Sequence, residues 1–458
     1  MILVRRNLVR LEIISCIAMI SFLSIAFVQE AYAPATTYTI LWLDWVPIED
    51  IAVSGNGQYV ASVEQPGTLR FNDRSSETAL WNWTATGETL LSVAISRNGD
   101  CVAVGSNQRV YFWVGATSLT GTNPTTNPTW NSTTLGAIER RCLAMSDDGN
   151  YLAACGTGYY AYYWRDTKGH SQGSSNVQTT WDYSFGHMAE TVDISSDGDC
   201  VAVGTKTPSV AYWKRARTLT GHGPSEPQPD WLSTKINSAI SVVDVAISDD
   251  GNYVAAVSHS ITGELYYWAS AKALEGDPTP TWHNELWGGS IFDAVAISCD
   301  GNSVVGGATN GVYFWSGATQ LHDLPSTPTP DWIYTIAGLV KDVAINSAGE
   351  YIAAATDSAA YFLNSTGSSL WNPPYVTDAL LNSMSLSEDG GTLAMATVGS
   401  TAHVLDTGFR TTSEPVGGIL MPVDKFALLW PYLLAAGLAF LATIALMHKR
   451  RTHSLLPR

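Results

Sequence analysis

The chain has 458 residues, of which 14% are charged, with 24 Lys and Arg against 41 Asp and Glu and a net charge of −17. A phosphate-binding surface needs clustered basic side chains, so this composition argues against a nucleic-acid partner. Residues 34–423 hold 16 basic and 38 acidic residues, a balance of −22 that fits a solvated, self-repelling surface.

The first element in the chain is a targeting segment. Arg5, Arg6 and Arg10 precede the apolar run "IISCIAMISFLSIAFV" (Ile13–Val28), and "QEAYAPA" follows with small residues at alternate positions. This is the pattern of a secretory signal over residues 1–35, with cleavage expected after Ala35.

From Tyr38 onward one phrase recurs eight times. "IAVSGNGQYVASV" begins at Ile51, "VAISRNGDCVAVG" at Val93, "LAMSDDGNYLAAC" at Leu143 and "VDISSDGDCVAVG" at Val192. "VAISDDGNYVAAV" begins at Val245, "VAISCDGNSVVGG" at Val295, "VAINSAGEYIAAA" at Val343 and "MSLSEDGGTLAMA" at Met384. The turn glycines step by 42, 50, 49, 53, 50, 48 and 41 residues, a period that belongs to a solenoid, propeller or array. After each phrase comes a third run, such as "VYFW" (Val110–Trp113), "AYYW" (Ala161–Trp164) or "LYYW" (Leu265–Trp268). Then come a polar loop and a Trp-led segment such as "TWNSTTLG" or "TWDYSFGH". Short β-branched and aromatic runs between Gly, Asp and Asn turns are strands, and four per unit make a propeller blade.

The units resemble the WD-repeat and YVTN-type propeller superfamily, which also includes quinoprotein-dehydrogenase-like propellers. The carriers of the resemblance are the S-x-D-G turn, the small-residue second strand and the third strand ending in Trp, across residues 38–406. The family's Trp-Asp pair is absent, because Trp113, Trp164, Trp213, Trp268 and Trp315 precede Val, Arg, Lys, Ala and Ser. The resemblance implies an all-β, eight-bladed propeller over residues 36–408, with seven blades as the alternative. It also implies that the spare strand "YTILWLDW" (Tyr38–Trp45) closes the ring by completing blade eight, and that the DG turns and polar loops share one face.

Candidate chemistry is sparse. Acidic residues stand four positions before the Ser or Asn that ends "VAIS" at Asp50, Asp244 and Asp342, and five before it at Glu49, Glu190 and Asp293. Repetition would gather them at the channel mouth as a site for a cation or a basic partner. The alternative is that each bonds its own loop backbone, with Arg141 and Lys341 diluting the ring. "GHSQG" (Gly169–Gly173) spells a nucleophile elbow, but no helix follows it and the loop joins two strands. The Asp-Asp-Gly-Asn turns lack the spacing of a calcium loop and read as hairpin turns. No cofactor or metal pattern is found, and "TGETLL" (Thr86–Leu91) and "GSSLW" (Gly367–Trp371) only faintly resemble quinone-enzyme repeats. Five cysteines follow the signal and are expected as small buried thiols, with Cys142 and Cys155 set opposite one another if the turn between them is a two-residue loop. Asn82, Asn131 and Asn364 sit in sequons and are glycan acceptors if the domain is exported.

The last elements are a linker (409–425) and "FALLWPYLLAAGLAFLATIALM" (Phe426–Met447), 22 residues without a charge, enough to span a bilayer. A basic tail (448–458) then marks the cytoplasmic side. The expectation is a single-pass cell-membrane protein whose extracellular propeller binds a protein or a glycan. A quinone-dependent dehydrogenase and a surface-layer component are the alternatives.

Overall fold

The structure, a computed structural model, describes residues 38–411 except 45, 123–125, 237–239, 260–262, 287–289, 324–326, 378 and 399–400. The expected signal (1–35), most of the linker (409–425), the membrane segment (426–447) and the tail (448–458) lie outside the described residues. Among the described residues no helix is long and apolar enough to cross a membrane.

The local rule that builds each blade is the S-x-(D/N)-G turn. In "SDDGNY" the Ser146 hydroxyl donates to Asp148 Oδ1 (2.8 Å) and accepts from the Tyr151 amide (3.0 Å), while Asp148 Oδ1 also takes the Asn150 amide (2.8 Å). The Gly149 amide closes back on Ser146 O at 2.9 Å. Gly149 has φ +69, a conformation glycine adopts without steric cost. The hairpin therefore has a four-residue loop rather than two residues, because serine and aspartate supply the bonds a tighter turn would make. The pairing of Leu143 with Ala154 is unchanged, so Cys142 and Cys155 do face each other, 2.8 Å apart at sulfur and unbonded.

Eight sheets arise from this rule. Their innermost strands are Ile48–Val53, Leu90–Ile95, Leu143–Met145, Ala189–Ile194, Ser241–Ile247, Phe292–Ile297, Val340–Ile345 and Leu381–Leu386, which begin blades 1 to 8. Each blade is an antiparallel meander of four strands, except that blade 2 gains a fifth, parallel strand from Ser174–Val177. Blade 8 is completed by the N-terminal strand Thr39–Asp44, which pairs antiparallel with Ala402–Asp406. The eight-bladed expectation and the closing strand both hold.

Tryptophan joins the blades. The indoles of Trp81, Trp130, Trp181, Trp231, Trp282 and Trp332, which start the outer strands, and of Trp371, just before one, each donate Nε1–H to a backbone carbonyl of the next blade: Ala116, Thr167, Ala216, Ala271, Ala318, Ser365 and Thr407, at 2.7 to 3.3 Å. Trp42 of the closing strand bonds Arg74 O at 3.0 Å and makes the eighth link. Within its own blade each of the seven rings stacks on the third-strand aromatic at 5.0 to 5.3 Å, as Tyr163 does on Trp181. An offset aromatic pair contributes roughly 0.5–1.5 kcal/mol beyond the area it buries.

The loops after the third strands serve as straps. Gly121, Gly221 and Gly276 bridge in parallel to Trp81, Trp181 and Trp231 of the preceding blade, covering sheet edges that would otherwise pair with other chains. Small second-strand residues serve the same contacts nearer the axis. Cβ atoms at Gly149 and Gly251 would fall 2.7 Å and 2.5 Å from Cys101 and Cys200 sulfur, so those cysteines are packing residues, as expected. Trp42→Phe keeps the ring but deletes the eighth link, leaving Arg74 O without its donor. The expected loss is about 1–2 kcal/mol of stability in urea unfolding.

Candidate functional site at the channel mouths

The innermost strands of all blades but the third carry a β-bulge at one position, where the register skips a residue. The skipped residues include Glu49, Glu190, Val243, Asp293, Lys341 and Asn382. A bulge leaves one residue outside the ladder, so its carbonyl is free to accept from elsewhere. The six acidic residues expected at the channel mouth therefore divide into two groups: Glu49, Glu190 and Asp293 are bulge residues, whereas Asp50, Asp244 and Asp342 follow a bulge.

The second group reaches across the blade boundary. Asp50 Oδ2 accepts the Val93 amide (2.9 Å), Asp244 Oδ2 the Val295 amide (2.9 Å) and Asp342 Oδ2 the Met384 amide (2.8 Å). Thr191 does the same for Val245 (3.3 Å), and Asp193, one step further along its strand, for Ile247 (2.8 Å). Asp50 Oδ1 also receives the Ser383 hydroxyl at 2.6 Å from blade 8. These carboxylates bond the neighbouring blade rather than their own loop alone. Burial pushes Asp50 and Asp244 up to about 6 and Asp193 to about 7, and it raises Asp342 as well.

The bulge group is not drawn together. Glu49 accepts from Gln65 Nε2, and Glu190 stands 4.0 Å from Lys206 Nζ. Asp293 pairs with His259 Nε2 at 2.8 Å. Burial would raise the Asp293 carboxyl, but that bond and the charges of Arg141 and His259 hold it below its usual range.

Blade 3 puts arginines where other blades put these acids, and they cross the channel. Arg141 donates Nη1 to Asp293 O (2.8 Å) and Val243 O (3.3 Å), and Nη2 to Lys341 O (2.6 Å). One guanidinium thus gathers the bulge carbonyls of blades 5, 6 and 7, with Asp244 Oδ1 at 3.9 Å from its Nε. The facing carboxylates outweigh its burial and raise its pKa further. Arg140 donates to both Asn382 O and Asn382 Oδ1 in blade 8. Asn382 Nδ2 in turn bonds Glu49 O at 2.7 Å, and Cys142 Sγ contacts Glu190 O at 3.3 Å. The sequence showed Arg141 only as an interruption of an acidic ring. Its role, and those of Arg140 and Asp193, depend on bulges that no local pattern displays.

The opposite mouth, on the turn face, is closed by backbone. The residue after each turn serine, or after Asn346 in blade 7, donates to its counterpart in the next blade: Arg97 to Asp147, Asp147 to Ser196, Ser196 to Asp249, Asp249 to Cys299, Cys299 to Ser347, Ser347 to Glu388, and Glu388 to Gly55. Asn56 N to Arg97 O completes the circle, and all eight bonds measure 2.9 to 3.2 Å. Arg97 ties Asp147 (3.0 Å) to Glu388, whose carboxyl burial lifts to about 7. The turn carboxylates Asp148 and Asp250 are engaged by backbone amides and serine hydroxyls, as the hairpin reading expects.

No family model and no curated protein matches the chain. Solved structures do. The C-terminal WD40 domain of Sif2 aligns with a TM-score of 0.61 at 12% identity, over 81% of this chain and 99% of that one. The Dos1 propeller aligns with a TM-score of 0.57 at 14% identity, over 81% and 95%. At such identities the likeness establishes architecture: an eight-bladed β-propeller with WD40 propellers among its structural neighbours.

Arg141→Lys keeps the charge but loses the fork, and is expected to cost about 2–3 kcal/mol in denaturant unfolding. Asp193 gives a pH signature. Its folded pKa lies above the usual value, so between pH ~4 and ~7 the folded state holds the proton that the unfolded chain has released, and stability falls as pH rises. Asp193→Asn lacks that slope, so the stability gap between wild type and variant should narrow from pH 5 to pH 8.

Proposed function

We propose that this protein is a membrane-anchored propeller that binds a macromolecular partner, a protein in first place, at the cell surface. The observation that carries this reading is where exposed apolar side chains lie. Of the exposed large apolar side chains among the described residues, the five most exposed, Tyr159, Ile240, Val376, Leu380 and Val398, are 51 to 69% exposed, and Ile40, Leu80 and Ile333 are 37 to 48% exposed elsewhere. All five stand at strand ends or starts on the face opposite the DG turns, and the Val398 amide bonds Leu380 O at 2.7 Å. Exposed apolar residues on one face mark an interaction surface, whereas Asp50, Asp244, Asp342, Arg140 and Arg141 are engaged by other blades.

The geometry of the chain ends agrees. The closing strand starts at the turn face, and Thr411 leaves there, its amide bonded to Asp389 O at 2.8 Å. With the apolar segment 426–447 as an anchor, the propeller stands on the outer side of the membrane. Asn82, Asn131 and Asn364 remain as glycan acceptors in that compartment. Asn364 is the most constrained, because its Oδ1 takes the Thr366 and Ser368 amides.

The test is surface crosslinking on intact native cells, capture of the protein and identification of what is attached. Wild type should yield a stoichiometric partner, and Leu380→Asp with Val398→Asp should lose it while retaining the wild-type melting profile. Equal recovery with the double variant would refute the apolar face as the contact.

A further inference from the structure

Five blades end their third strand in tryptophan, and in three of them the loop that follows delivers a backbone carbonyl to the indole. Trp113 Nε1 donates to Thr126 O (2.8 Å), Trp213 to Pro227 O (3.0 Å) and Trp315 to Pro328 O (3.5 Å). These carbonyls belong to proline-containing loop stretches, "TNPTW", "EPQPDW" and "TPTPDW". In blade 5 the loop is shorter, with 14 residues from Trp268 to Trp282 against 17 from Trp315 to Trp332, and the buried Trp268 Nε1 also has no acceptor among the described residues.

Blade 3 differs in path, not in length, since Trp164 and Trp181 are also 17 apart. Both ends of its loop are held as in the sister blades. Thr180 Oγ1 accepts the Arg165 amide (3.0 Å), as Thr129, Asp230 and Asp331 accept those of Val114, Lys214 and Ser316. The middle is diverted: Ser174–Val177 forms the parallel fifth strand on blade 2. Val177 stands 13 residues after Trp164, as Thr126 does after Trp113 and Pro328 after Trp315. Its carbonyl bonds the Thr133 amide instead (3.3 Å). Trp164 is 1% exposed, and its Nε1 has no acceptor among the described residues. The same indole lines a cavity of about 420 Å³ with Arg165, His170, Gln178, Thr180 and Thr220. Leaving a buried donor unpaired costs about 1–3 kcal/mol, and a ligand that satisfies it recovers that energy.

We propose that this cavity is a second binding site, on the turn face, for an extended proline-containing peptide segment of a partner protein. One of the peptide's backbone carbonyls accepts from Trp164 Nε1. The occupant is specified by the sister blades, where this donor is met by the backbone carbonyl of a proline-containing loop segment. Proline pre-sets that backbone, so little ordering entropy opposes its docking. His170 lies against Trp130 at 5.6 Å between ring centroids and forms a wall of the seat. The residues of "GHSQG" thus serve in a recognition pocket and in the diversion that creates it.

The full-length protein in detergent micelles is titrated into a fluorescein-labelled peptide with the chain's own loop sequence TPTPD (Thr327–Asp331), followed by anisotropy. Saturable binding is expected, and a TATAD peptide should bind more weakly. Trp164→Phe removes only the N–H and should weaken binding about 5–10-fold, while Trp113→Phe, whose indole is engaged internally, should not. Should Trp164→Phe fail to fold, Thr220→Arg, at an exposed position on the cavity rim, should abolish binding. Absence of saturable binding, or binding unchanged by both Trp164→Phe and Thr220→Arg, would overturn the site. This site lies on the face opposite Leu380 and Val398, so its failure and the failure of the cell-surface reading are separable.

Discussion

The bond between an indole N–H and a carbonyl of the next blade is the interaction on which the molecule depends. Stacked sheets offer each other apolar surface, which is non-directional and permits sliding. The indole adds direction. Its ring is fixed by stacking on an aromatic of its own blade, and its nitrogen reaches one carbonyl of the neighbour. Eight such links around the ring, joined near the axis by eight backbone bonds at the turn-face mouth, set the angle between successive blades and hence their number.

Much of this was legible in the sequence because it repeats. The S-x-D-G phrase, the terminal tryptophans and the spare strand at Tyr38 are periodic, and periodicity separates architecture from chance. The placement of the S-x-D-G aspartates in their own turns and of Asp50, Asp244 and Asp342 near the channel was also within reach. What escaped is what departs from the period. The bulges leave no local mark, so Glu49 and Asp50, adjacent in sequence, go to different environments. Arg140 and Arg141 looked like gaps in an acidic series, yet they join four other blades. The blade 3 loop has the same length as those of blades 2 and 6, so its diversion shows only when its neighbour is in view.

The channel illustrates how charge is balanced without a ligand. Aspartates that cross a blade boundary are desolvated, and each is met by a main-chain amide, a hydroxyl or the blade 3 guanidinium. A buried ionic group left unpaired is strongly destabilising. The arginines also take bulge carbonyls, which would otherwise be unpaired acceptors in a narrow passage. The arginines of one irregular blade thereby serve four of the seven bulges.

The closing strand also constrains how the protein is made. Thr39–Asp44 emerges first during synthesis but its partner, Ala402–Asp406, emerges last among the blades. The leading segment therefore waits through the production of the whole ring with its backbone groups unpaired. Any factor that guards nascent chains has a defined client here: a six-residue strand, TILWLD, that stays unpaired until the final blade arrives.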